Sequence, residues 1–124
     1  MSRHADEATV RRWFDAFNSR DLEGMLTCMH ANVDFRPLRL QGIDSLYHCH
    51  VGVRIWFEDL TRMEHPHRIE LSAVRTSGAE RVVATGALAD SDVAGPSSFW
   101  AMKHLENGVI ISAHHHLSDR LHLR

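Results

Sequence analysis

The sequence predicts one α+β domain, with three helices packed on an antiparallel sheet. Two observations predict it. Apolar residues recur at helical spacing through the first half of the chain and switch to alternation after Pro66. The resulting order of elements, helix, helix, strand, helix and then four strands, belongs to the α+β class.

The first helix carries Val10, Trp13, Phe14 and Phe17 on one stripe. The second carries Leu22, Met25, Leu26 and Met29, with Asp21 placed to cap its N-terminus. Val33 to Leu38 reads as a short extended piece ended by Pro37. The third helix carries Val53, Trp56, Phe57 and Leu60 and stops before Glu64-His65-Pro66. Alternation then marks His67 to Thr76 and Arg81 to Asp90 as strands, separated by a Ser77–Gly78 turn. After a Ser91 to Pro96 loop, Ser97 to Glu106 and Val109 to Leu117 form a hairpin across Asn107–Gly108.

Counting back from a two-residue loop pairs Glu106 with Val109, His104 with Ile111, Met102 with Ala113 and Trp100 with His115. One face then holds Trp100, Met102, Val109, Ile111, Ala113 and His115 and is expected to meet the helices. The opposite face holds Phe99, Leu105 and Ile110 with Lys103, His114 and His116. That exposed apolar patch leads to the expectation of a homodimer through the outer sheet face.

A chain of 124 residues fits one domain, residues 1–124, and 44% hydrophobic with 24% charged is a globular composition. A net charge of -2 gives no reason to expect nucleic acid or an anionic membrane as a partner. No apolar run spans a bilayer and no secretory leader is visible, so the expected location is cytoplasmic. Cys28 and Cys49 lack metal-type spacing and read as free thiols in a reducing compartment.

The order of elements and several local motifs resemble the nuclear transport factor 2-like superfamily, in particular its SnoaL-like, polyketide cyclase-related branch. The residues that carry the likeness are Val10-Arg11-Arg12-Trp13-Phe14, Asn18-Ser19-Arg20-Asp21-Leu22 and Val33-Asp34-Phe35-Arg36-Pro37-Leu38. Tyr47 to Arg54 and the Asn107-Gly108-Val109-Ile110 turn complete it. The resemblance implies a cone, with the three helices packed on a curved antiparallel sheet around one pocket, and places Phe17 and Trp56 in its wall. Steroid isomerases of that fold use a tyrosine, an aspartate and a further acid. By position these fall on Trp13, Arg36 and Trp100 (or Ala101), and none has the required chemistry. Arg36 stays protonated and cannot be a base.

Among candidate residues, His115 leads, because an imidazole titrates near working pH and burial tunes it further. Asp34 and Arg36 share one side of the first strand; Arg36 is a candidate to hold a carboxylate or enolate oxygen, and Asp34 to orient His115 or act as the base itself. Alternation favours burying Val33 and Phe35 instead, and which face lines the pocket stays open. Trp13, Phe17, Phe35, His50, Trp56, Trp100 and Met102 are candidate substrate contacts, suited to a flat apolar ligand. His114 and His116 share a face but lack a third ligand, so no metal is expected, and no cofactor either. Two functions remain: cofactor-free isomerisation, cyclisation or hydrolysis of a small, largely apolar organic molecule, or non-catalytic binding of a ligand or protein by a dimer.

Overall fold

The computed structural model describes residues 3–37, 47–62, 68–78, 80–89 and 98–118. Two helices open the chain, α1 (Arg3–Asn18) and α2 (Leu22–Thr27), followed by strand β1 (Met29–Arg36). A two-residue strand β2 (Tyr47–His48) leads directly into α3 (Cys49–Thr61). Strands β3 (Arg68–Thr76), β4 (Arg81–Ala89), β5 (Ser98–Glu106) and β6 (Val109–Ser118) follow. They form one curved six-stranded sheet in the order β2-β1-β6-β5-β4-β3, against which the helices pack. The Ser91 to Pro96 loop expected from the sequence lies outside the described residues.

Each helix forms where an apolar stripe can be buried. Val10, Trp13, Phe14 and Phe17 of α1 are all at or below 4% exposure. Asp21 caps α2 as expected, its Oδ1 accepting from the Gly24 N–H at 3.0 Å. This helix ends at Thr27, so Met29 opens β1 rather than closing a helix. Tyr47 and His48 pair with Phe35 and Asp34 on β1 and lead directly into α3.

Every strand pair is antiparallel except β1 with β6, which run parallel. Parallel neighbours need a long connection between them, and here almost the whole α3 to β5 segment supplies it. Asn18 ties α1 to the edge strand β3. Its Nδ2 donates to the Ile69 carbonyl at 2.7 Å, and its Oδ1 accepts from the Ile69 N–H at 2.8 Å.

The hairpin turn is the expected one: Asn107 and Gly108 both have positive φ (54° and 82°), as a type I′ turn requires. The register beyond it is not. Glu106 pairs with Val109 and Leu105 with Ile110, but His104 then pairs with Ser112, leaving Ile111 as the extra residue of a bulge. From there Lys103 faces Ala113, Met102 faces His114, Ala101 faces His115 and Trp100 faces His116.

That single inserted residue changes which side chains share a face. Ile110, before the bulge, and Ala113 and His115, after it, all point inward with Leu105, Lys103 and Ala101. Met102 and Val109 are displaced from the inner wall, and Met102 pairs with His114 and Val83 on the outer side. Leu105 and Ile110 are core residues at 1% and 0% exposure, so they contribute nothing to the outer apolar patch expected of them.

Candidate functional site

Inside the fold, α1, α3, β1 and β6 bring five aromatic side chains around one imidazole. Trp13 stacks on Phe17 (5.8 Å between ring centres, 5° between planes), and Phe17 stacks on Trp56 (5.8 Å, 18°). Phe35 meets Trp56 edge-on at 4.8 Å. His115 presents itself edge-on to Trp13 at 5.4 Å and to Phe35 at 5.5 Å, and lies beside Phe14 at 6.0 Å. Of the sequence candidates, Trp13, Phe17, Phe35, Trp56 and His115 are therefore brought together.

The residue that completes the cluster was not among those candidates. Lys103 is fully buried, and its Nζ lies 2.9 Å from His115 Nε2. The same nitrogen sits 3.9 Å from the centre of the Trp13 ring and 5.0 Å from that of Phe14. No salt bridge reaches it among the described residues. The sequence did contain a signal: of fourteen Lys and Arg residues, Lys103 is the only lysine. A chain whose other Lys and Arg positions are all arginine keeps its single lysine in the core.

The electrostatics follow from burial. Loss of water pushes the Lys103 amine well below the ordinary lysine range, with Cys28 acting weakly in the opposite sense. Stacking a cation on an indole returns about 2 kcal/mol when both are dry, whereas burying an ion costs several kcal/mol even after relaxation. Desolvation wins, and the neutral amine is the favoured form. Burial likewise holds His115 well below its ordinary value, helped by the charges of Lys103, His116 and His114. Burial thus works against the charged form of both the amine and the imidazole. Either an amine N–H donates to Nε2, or Nε2–H donates to the amine lone pair.

One more polar group lies in this interior. Trp13 Nε1 is buried without a hydrogen-bond partner among the described residues. Leaving such a donor unmet costs about 1–3 kcal/mol, which an oxygen atom of a ligand or water would recover.

Asp34 and Arg36 are not part of this cluster. Val33 and Phe35 take the inward positions of β1, both at 0% exposure, so the charged pair lies on the opposite side. There Asp34 Oδ1 meets His48 Nδ1 at 2.9 Å, in an exposed pair. His50, in the first turn of α3, places Nε2 3.0 Å from the Met29 carbonyl, which ties α3 to β1. Met102 is on the outer side, and the side chain of Trp100 lies outside what is described. His114 and His104 are on the outer face, where His104 Nδ1 contacts Ser112 Oγ at 3.1 Å. Burial, then Arg36 and the neighbouring histidines, lowers the pKa of His114. Among the described residues no three His, Cys, Asp or Glu side chains converge on a metal position.

A separate cleft of about 290 Å³ lies between α1 and α2, lined by Arg12, Asp15, Ser19, Asp21, Thr27 and Cys28. It opens on the side of α1 that carries Arg12, Asp15 and Ser19, away from the aromatic stripe, so it does not serve the Lys103–His115 pair directly. Cys28 and Cys49 are both free thiols. Among the described residues no helix is long and apolar enough to cross a membrane.

A family model described as a SnoaL-like domain matches residues 10–111. Solved structures share the fold at low identity. A protein of unknown function from Burkholderia pseudomallei, described as NTF2-like, is 24% identical, covering 96% of this chain and 93% of its own, with a TM-score of 0.76. TerC, crystallised with polyporic acid, is 18% identical over 92% of both chains, with a TM-score of 0.78. A protein from Xanthomonas campestris described as a putative polyketide cyclase is 16% identical, covering 94% of this chain and 92% of its own, with a TM-score of 0.71. Among curated proteins, none matches this sequence.

Proposed function

Because the chain belongs to the SnoaL-like domain family, whose fold alone does not set an activity, we propose a function from the interior itself. The protein acts on a small, largely apolar organic molecule bearing a carbonyl group, by cofactor-free acid–base chemistry. The observation that carries this reading is the 2.9 Å contact between Lys103 Nζ and His115 Nε2 inside an aromatic enclosure. His115 is the proton carrier of an isomerisation, cyclisation or hydrolysis, and the aromatic faces of Trp13, Phe17, Phe35 and Trp56 hold the flat body of the ligand. The unpartnered Trp13 N–H supplies a donor for a ligand oxygen. Trp56 is the partly exposed member of the cluster, and it marks where the aromatic interior meets solvent.

One observation favours a second reading. Apart from Trp56, every member of the cluster is below 5% exposure, as in a core filled by its own side chains. A non-catalytic binding domain would need no more than that. In either case we place a second copy of the chain on the outer sheet face, where Val83 and Met102 pair and are only half-buried.

A thermal-shift screen with aromatic polyketides, polyporic acid, steroids, terpenoid epoxides and small aromatic ketones tests the first reading. A ligand at 100 times its Kd adds about 2.7 kcal/mol and moves the midpoint by several degrees. A shift in wild type that shrinks in Trp56→Ala supports the aromatic interior as the site. A flat response across all classes from folded protein favours the second reading.

A further inference from the structure

We propose that Lys103 is an amine nucleophile that condenses with the carbonyl carbon of its ligand to form an imine, with His115 moving the protons. The proposal rests on the reading of the interior as a carbonyl-binding site and names the covalent step performed there. Three observations converge on it. Lys103 is the only lysine of the chain, and among the described residues it is the one Lys or Arg side chain that is buried. A structural core position would be filled more simply by Met or Leu, which carry no polar atom to satisfy. The amine has a base of matching reach, His115 Nε2, at 2.9 Å. Trp13 and Phe14 lie against the nitrogen and Cys28 is near enough to act on it, and the amine is buried and not paired to a carboxylate among the described residues. A desolvated, uncharged amine next to a base is the arrangement that activates lysine as a nucleophile.

The step balances without an added oxidant or reductant. The Nζ lone pair attacks the carbonyl carbon, the C–N bond forms, and the π electrons move to oxygen. His115 Nε2 takes one proton from the nitrogen and delivers it to the alkoxide, giving the neutral carbinolamine. The nitrogen lone pair then forms C=N as the hydroxyl departs, and His115 Nε2 carries the second N–H proton to that hydroxyl, which leaves as water. The Trp13 N–H is placed in the same interior to stabilise the carbonyl oxygen as charge develops on it.

The test is reductive trapping of the intact protein with benzaldehyde and cyanoborohydride at neutral pH, read by intact mass and peptide mapping. Only two amines are available, the N-terminus and Lys103, so the N-terminus is an internal reference. The expected result is alkylation of Lys103 faster than of the N-terminus, abolished in Lys103→Met and slowed about 10²-fold or more in His115→Gln. Labelling confined to the N-terminus of folded wild-type protein would overturn the proposal. Thermal shift with benzaldehyde alone separates the two failures. A shift without labelling overturns the imine step and leaves the carbonyl-binding reading standing. Neither shift nor labelling overturns both.

Discussion

Lys103 Nζ rests 3.9 Å above the Trp13 ring, where water does not reach it. This sets a sign for the dependence of stability on pH. The folded-state pKa of the amine lies well below its unfolded value of 10.5. Between those two values the unfolded chain carries a proton that the folded chain does not, so stability rises with pH through that window. Below the folded pKa the burial penalty is fully present. Urea midpoints of wild type and Lys103→Met should diverge as pH rises through the window below 10.5, wild type gaining at most about 1.4 kcal/mol per pH unit relative to the variant. Parallel curves would mean that the amine titrates as an exposed lysine does.

His115 and Asp34 should separate cleanly in activity. His115 touches Lys103 and three aromatic rings in the interior, while Asp34 holds His48 on the opposite side of β1. With the carbonyl compound returned by the screen, His115→Gln should lose about 10²- to 10⁴-fold in kcat. Asp34→Asn should stay within a few-fold of wild type and cost at most about 1 kcal/mol in stability, since the Asp34–His48 pair is exposed. A large loss in Asp34→Asn with His115→Gln unaffected would move the chemistry to the other face of β1.

The sequence was legible where local rules decide. Helical spacing located Trp13, Phe14 and Phe17, and the Asn107–Gly108 turn fixed the hairpin end. It was illegible where two apolar residues compete for one inward position. Ile110 and Ile111 are consecutive and equally apolar, so alternation alone does not say which is buried. The bulge settles it by burying Ile110 and stepping over Ile111, so Ala113 and His115 keep the expected inward face while Ala101, Lys103, Leu105 and Ile110 turn inward against expectation. Lysine is also rarely buried, so a strand-face argument sends it outward by default. The parallel β1–β6 pairing joins segments about eighty residues apart in sequence and leaves no local trace. Two-residue β2 is too short to alternate.

Asn18 offers a stability prediction independent of the site. Its amide mimics one residue of a neighbouring strand, donating to the Ile69 carbonyl and accepting from the Ile69 N–H at 2.7 and 2.8 Å. Ile69 is 3% exposed and sits on the edge strand β3, so both backbone groups lose their partner in Asn18→Ala. The expected cost is about 2–4 kcal/mol, read as a lower urea midpoint at unchanged m. Asn18→Asp should fall between the two, because a carboxylate still accepts from the N–H but meets the carbonyl with a second acceptor. If Asn18→Ala matched wild type, water would be satisfying the strand edge instead.

Gly86 is the position where the sheet itself forbids a side chain. It lies opposite Leu71 on β3 and Phe99 on β5, beside the irregularity between Leu71 and Ala73. A Cβ there would run into the Glu70 carbonyl oxygen and come within 3.0 Å of the Leu71 Cα, both backbone atoms that no rotamer change can move aside. Gly86→Ala must therefore open the β3–β4 ladder locally, at a cost of about 1–3 kcal/mol. The loss should concentrate in β3. Hydrogen exchange of amides in Ile69 to Ala73 should speed up in the variant, while amides in the β5–β6 hairpin keep their protection relative to global stability. Uniform acceleration across all strands would instead mean that the clash is relieved only by global unfolding.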